Sequence, residues 1–123
     1  MGAIKFGPSS WIASSLLAMT RPYGNNEIMK QPAVYMMASQ RNGTLYVGVT
    51  SNLSQRVWLH RTGAIAGFTT RYGCKTLVWY EVHSTMLDAI AREKQIKGGS
   101  RKKKLALIEA MNPTWRDLYE ELI

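Results

Sequence analysis

Residues 34–60, VYMMASQRNGTLYVGVTSNLSQRVWLH, decide how this chain is read. Val34, Met36 and Ala38 alternate with Tyr35 and Met37, and Leu45, Val47 and Val49 alternate with Tyr46, Gly48 and Thr50. That period of two is the mark of half-buried strands. Asn42-Gly43 lies between them, and both residues accept the positive φ that a two-residue type I′ hairpin turn demands. In that register Tyr35 faces Thr50 and Tyr46 faces Ser39, so both tyrosines project from one side of the sheet. The same register offsets them along the strands by four residues, roughly 13 Å at about 3.4 Å each. A common site would then require tilted side chains or a bulge.

Outward from the hairpin, Ser51-Asn52-Leu53-Ser54-Gln55-Arg56 has the composition of a helix start, with Ser or Asn accepting a first-turn amide hydrogen. Arg56 and His60 stand four apart and share a face of that helix. Taken singly, they read as an exposed arginine and a surface histidine. Residues 62–73 form a loop with room for one helical turn, punctuated by Gly63, Gly67 and Gly73. Arg71 and Tyr72 in it are candidates for a phosphate contact and a base stack, or for an ordinary surface loop. Thr76–Val82 is β-branched and aromatic and suits a third strand. Cys74, the one cysteine, reads as packing rather than as a nucleophile.

A helix is expected from Ser84 or Thr85 to about Lys97, where Gly98-Gly99 stops it. Its expected inward stripe is Met86, Ala89, Ile90, Glu93 and Lys97, which puts a carboxylate where an apolar residue belongs. An uncompensated charge there costs several kcal/mol, so Glu93 needs either an ion pair with Arg56 or a lysine, or a metal ion. From Arg92 to Lys104, seven of thirteen residues are basic and one is acidic. Lys94, Lys97, Arg101, Lys102 and Lys103 are the candidates for contact with a nucleic-acid backbone, against the plainer reading of a solvated face. Ser100 caps the next helix, whose Leu105, Leu107, Ile108 and Met111 pack on the sheet. Pro113 ends it and leaves Asn112 non-helical. Trp115, Leu118 and Leu122 then form a short closing helix.

The length of 123 residues suits one domain. The fold class expected is α/β (α+β), a three-stranded antiparallel sheet flanked by helices. A net charge of +8 points to a polyanion, either nucleic acid or an acidic membrane surface. No apolar run approaches the ~20 residues that span a bilayer, and a lone cysteine suits a reducing, cytoplasmic compartment. Residues 1–28 read as a poorly ordered extension whose deletion leaves folding and activity intact. Residues 30–122 form the domain.

Ala33-Val34-Tyr35, Tyr46-Val47-Gly48, Arg56, His60, Glu93 and Asn112, in that order, resemble the GIY-YIG nuclease superfamily. The likeness is to its small single-domain bacterial members, and more distantly to the amino-terminal domain of the repair excinuclease and to homing endonucleases. It covers about Lys30 to Leu122. The resemblance implies a DNA endonuclease, structure-selective and at work in repair or recombination, with RNA open as another ligand. It implies Glu93 as the ligand of Mg2+ (or Mn2+), with Tyr35, Tyr46, Arg56, His60 and Asn112 as catalytic residues. Two departures stand out. Ala33 replaces the first glycine of the pattern, and Val49 stands where many members place a lysine that assists the tyrosine. His60, with an ordinary pKa near 6.5, is the expected substitute as proton acceptor from Tyr35 or Tyr46. The alternative is a binding module of the same fold without turnover. Oligomeric state is not legible.

Overall fold

The computed structural model describes residues 31–122; the expected extension over residues 1–28 lies outside them. Strands β1 (Ala33–Ala38), β2 (Leu45–Thr50) and β3 (Thr76–Val82) form one antiparallel sheet in the order β2-β1-β3. The expected fold class is therefore the observed one. Helix α1 (Leu53–Thr62) follows β2, and a five-residue helix α2 (Phe68–Tyr72) precedes β3. Helices α3 (Met86–Lys97) and α4 (Arg101–Met111) follow, and a 3-10 turn at Leu118–Glu121 closes the domain.

The hairpin differs from the two-residue turn expected. Tyr35 pairs with Gly48 and Tyr46 with Met37, so the register is slipped by two residues. Ser39 N–H donates to Thr44 C=O, and the turn proper runs over Gln40–Gly43, closed by Gly43 N–H on Gln40 C=O. Asn42 takes the left-handed conformation, φ 58°, inside that four-residue turn. A slip of two keeps each side chain on its face, so both tyrosines still share a side. Their offset falls to two residues, which removes the expected separation.

Alternation along β1 sorts the interior into two layers. Val34, Met36, Ala38 and Val47 pack with Ala89, Ile96, Ile108 and Trp115 of the later elements. Tyr35 and Met37 point to the opposite face, where β2 leads into α1 and where Leu53, Val57 and His60 of that helix are buried. The α3 stripe is rotated from the one expected. Ala89 and Ile96 are buried, while Met86 and Lys97 are exposed. Met111 is likewise exposed rather than packed, and Ile108 is the buried residue of α4. Trp115, Leu118 and Leu122 are buried as the apolar spacing demands.

The caps explain where the helices begin and end. Asn52 accepts from Gln55 N–H, Thr85 from Asp88 N–H and Ser100 from Lys103 N–H, each satisfying one of the donors a helix start leaves free. Gly63 and Gly73 end α1 and α2 at φ 74° and 68°, where a side chain would be strained. Among the described residues no helix is long and apolar enough to cross a membrane.

Candidate active site

Tyr35 sits at the centre of β1 without exposed surface, and its ring reaches across to bare Gly48 on β2. A Cβ on Gly48 would lie 2.5 Å from the Tyr35 hydroxyl oxygen and 2.6 Å from its Cζ. Only glycine leaves room for that ring, which gives the glycine of the second tripeptide a steric reason.

With that room the Tyr35 hydroxyl meets His60 Nε2 at 2.8 Å. His60 is 2 % exposed, and its Nδ1 lies 2.8 Å from the hydroxyl of buried Thr69 on α2. Both ring nitrogens are thus engaged by hydroxyl groups. The Tyr46 ring, half-buried, is 6.2 Å from the Tyr35 ring and 5.4 Å from the His60 ring, centroid to centroid. Beyond it Phe68 lies 6.0 Å from Tyr46 and 4.6 Å from Tyr72.

Burial raises the Tyr35 pKa above its ordinary value of 10; neighbouring Tyr46 adds to the rise and Arg56, on the adjoining helix, opposes it. The His60 pKa is lowered from 6.5, first by burial and then by the Arg56 charge. At neutral pH both groups are therefore uncharged. The arrangement that satisfies both nitrogens has Tyr35 O–H donating to Nε2 and Nδ1–H donating to the Thr69 hydroxyl.

Several of the other expected site residues have polar partners of their own. Glu93 lies on α3, the helix that packs on β1 and β2. Its side chain is 12 % exposed and its carboxylate accepts from Lys97 Nζ at 2.7 Å, so the lysine pairing weighed from the sequence exists. Among the described residues no three His, Cys, Asp or Glu side chains cluster as a metal site. A single, largely buried carboxylate suits a magnesium ion completed by water and phosphate oxygens, and does not suit a protein-caged zinc.

Asn112, expected near the site, has its side chain fully engaged. It is 3 % exposed, and its Nδ2 donates to Val78 C=O at 3.2 Å and Arg116 C=O at 2.8 Å, while Oδ1 accepts from Arg116 N–H. Both amide hydrogens are spent on the backbone, so its task in this structure is to hold the turn after α4 against β3. Arg101, exposed, donates to the carbonyls of Asn42 and Gly43 at 2.8 and 2.7 Å and ties α4 to the hairpin turn. Lys97 is engaged by Glu93, whereas Lys94, Lys102, Lys103 and Arg71 are exposed. Cys74 is buried, with its thiol pKa raised by that burial.

Thr69 escaped the sequence reading. Nothing in a threonine two residues past a glycine announces a histidine partner that comes from another helix. Phe68 escaped for the same reason, although Gly67 and Gly73, bracketing five residues, were a signal for a separate short helix.

The chain is similar to several known proteins. The family profile described as the GIY-YIG catalytic domain matches residues 31–106. A UPF0213 protein of Staphylococcus haemolyticus is 36 % identical over 81 residues, covering 66 % of this chain and 98 % of its own length. A UPF0213 protein of Clostridium perfringens is 36 % identical over 70 residues, covering 57 % and 75 %. The solution structure of a UPF0213 protein from Bacillus halodurans aligns with a TM-score of 0.46 at 25 % identity, covering 71 % of this chain and 92 % of that one.

Proposed function

The chain belongs to the GIY-YIG family, a family of nuclease domains, and from that premise we propose that it is a divalent-metal-dependent endonuclease that hydrolyses DNA phosphodiester bonds. The observation that carries the reading is the bond between Tyr35 and His60 Nε2, 2.8 Å long and buried. A phenol with a raised pKa is a poor source of phenolate. It can still act as a relay, taking a proton from the attacking water while passing its own to Nε2. His60 is neutral, and so ready to accept that proton. Thr69 on Nδ1 holds the tautomer that leaves Nε2 free to do so.

Arg56 supplies donors for the scissile phosphate. Its second effect is on the base. Its charge is one of the two causes that hold the His60 pKa down, so a bound phosphate that neutralises Arg56 strengthens His60 once substrate is in place. A Mg2+ or Mn2+ ion held by Glu93 would compensate charge on the phosphoryl oxygens. Lys94, Lys102, Lys103 and Arg71 offer sequence-independent phosphate contacts, with RNA as a second candidate polymer. Asn112 positions the segment after α4 against β3.

The test is incubation of purified protein with nicked, branched and single-stranded DNA, with and without Mg2+ or Mn2+, beside His60→Ala and Glu93→Ala. Cleavage that needs the ion and is lost in both variants, with DNA binding retained, supports the reading. Wild-type cleavage by His60→Ala would remove the proton path. Binding without turnover under every condition would make the domain a nucleic-acid-binding module, a reading favoured by the pairing of Glu93 with Lys97.

A further inference from the structure

The row of rings does not stop at the catalytic cluster. From Tyr35 and His60 it passes through half-buried Tyr46 to Phe68 and Tyr72, which are 45 % and 47 % exposed. Phe68 and Tyr72 are four apart on α2 and so share a face. Their centroids are 4.6 Å apart with the ring planes at 43°. The core has no need of either ring, since Thr69 is the residue that α2 buries. Leaving two large aromatic side chains side by side in water is costly, because such residues carry some of the largest apolar surfaces available for burial.

A cation completes the group. The Arg71 guanidinium lies 5.5 Å from the Tyr72 ring centroid, and among the described residues no acidic partner is bound to it. Flat π-surfaces flanked by a free cation, in a chain of net charge +8, match a nucleotide: base on the rings, phosphate on the guanidinium. Continuity through Tyr46 places that nucleotide next to the bond to be cut.

Resting on the nuclease reading above, we propose that Phe68 and Tyr72 form a stacking platform for an unpaired nucleobase adjacent to the scissile phosphate, with Arg71 on the phosphate of that nucleotide. A base inside a duplex has both faces covered by its neighbours and cannot use the platform without being unstacked. The platform therefore selects single strands, flaps and gaps over intact duplex, and it does so without reading sequence.

The probe is a twelve-nucleotide DNA strand carrying one 2-aminopurine, whose emission changes when it leaves its neighbours for an aromatic side chain. It is titrated with the full-length protein in the absence of divalent ions, alone and annealed to its complement. Phe68→Leu and Tyr72→Leu keep apolar bulk while removing the π-face, and thermal melting verifies that they fold. The wild-type protein is expected to shift the emission of the single strand. Each variant should lose that shift and bind the strand about five- to a hundredfold more weakly, with duplex binding unchanged. Equal emission change and equal affinity in variants and wild type would overturn the platform.

A second arm adds Mg2+ and compares cleavage of the strand with cleavage of the duplex. Variants that keep the wild-type ratio sink the platform and leave the nuclease reading standing. A protein that shifts the emission through Phe68 and Tyr72 but cuts nothing sinks the nuclease reading and leaves the platform standing.

Discussion

Gly48 shows how one missing methyl group governs the site. Gly48→Ala places a carbon 2.5 Å from the Tyr35 hydroxyl oxygen, so the fully buried ring must shift. Overpacking of this kind costs about 1–3 kcal/mol. The urea midpoint should fall accordingly, and cleavage should fall further, because the Tyr35–His60 bond is lost with the displacement. A variant with wild-type stability and rate would refute the steric account. His60 carries a pH prediction of definite sign. Its folded pKa lies below 6.5, so below pH 6.5 the unfolded chain takes up the proton first and the folded state is disfavoured. The stability this histidine contributes is complete above pH 6.5 and declines as pH falls through the folded pKa. Denaturant midpoints should therefore drop from pH 7 to pH 5 more in the wild type than in His60→Phe. Cleavage, which needs neutral His60, should persist below pH 6.5 before it fails. Tyr35, Tyr46, Arg56 and His60 could be singled out in the sequence because together, in that order, they resemble a family pattern; taken singly, Arg56 and His60 read as surface residues. Thr69 could not be singled out, since its role exists only where α2 meets α1.

At the level of elements, periodicity located the three strands and the helices, and cap residues set their starts. What it could not set was the hairpin register. Asn42-Gly43 is a strong local signal for a two-residue turn, yet Asn42 alone takes positive φ, and two more residues enter the loop. A contact from a distant helix accompanies that choice: Arg101 reaches the carbonyls of both Asn42 and Gly43. Arg101→Ala should therefore lower stability by about 1 kcal/mol, the scale of exposed bonds from a charged donor, as read from urea unfolding. Its effect on DNA affinity should be smaller than that of Lys102→Ala or Lys103→Ala, and the reverse order would return Arg101 to the nucleic-acid surface. The stripe of α3 was misjudged for a related reason. Helical spacing gives the width of a face, but its rotation is fixed by what it meets, and here Ala89 and Ile96 meet β1 and β2.

At the scale of the whole molecule, the charge of +8 predicts affinity that falls with salt. Each phosphate contact removed should flatten the slope of log affinity against log salt by about 0.7 for a single strand and 0.9 for duplex. Lys102→Ala with Lys103→Ala should then reduce the slope by roughly twice that amount. An unchanged slope would mean that these lysines are a solvated face and nothing more.

The last residues described tie the domain together in a way that bears on its motions. Asp117 pairs with Arg61 at the end of α1 and accepts from Leu77 N–H of β3, while the Arg61 guanidinium lies 4.8 Å from the Tyr119 ring centroid. Helix α1, which carries Arg56 and His60, is thus strapped by a segment more than fifty positions later. In amide hydrogen exchange the protons of α1 and of Leu118–Leu122 should consequently report one shared opening event. Asp117→Asn, by loosening the strap, should accelerate exchange in both segments together.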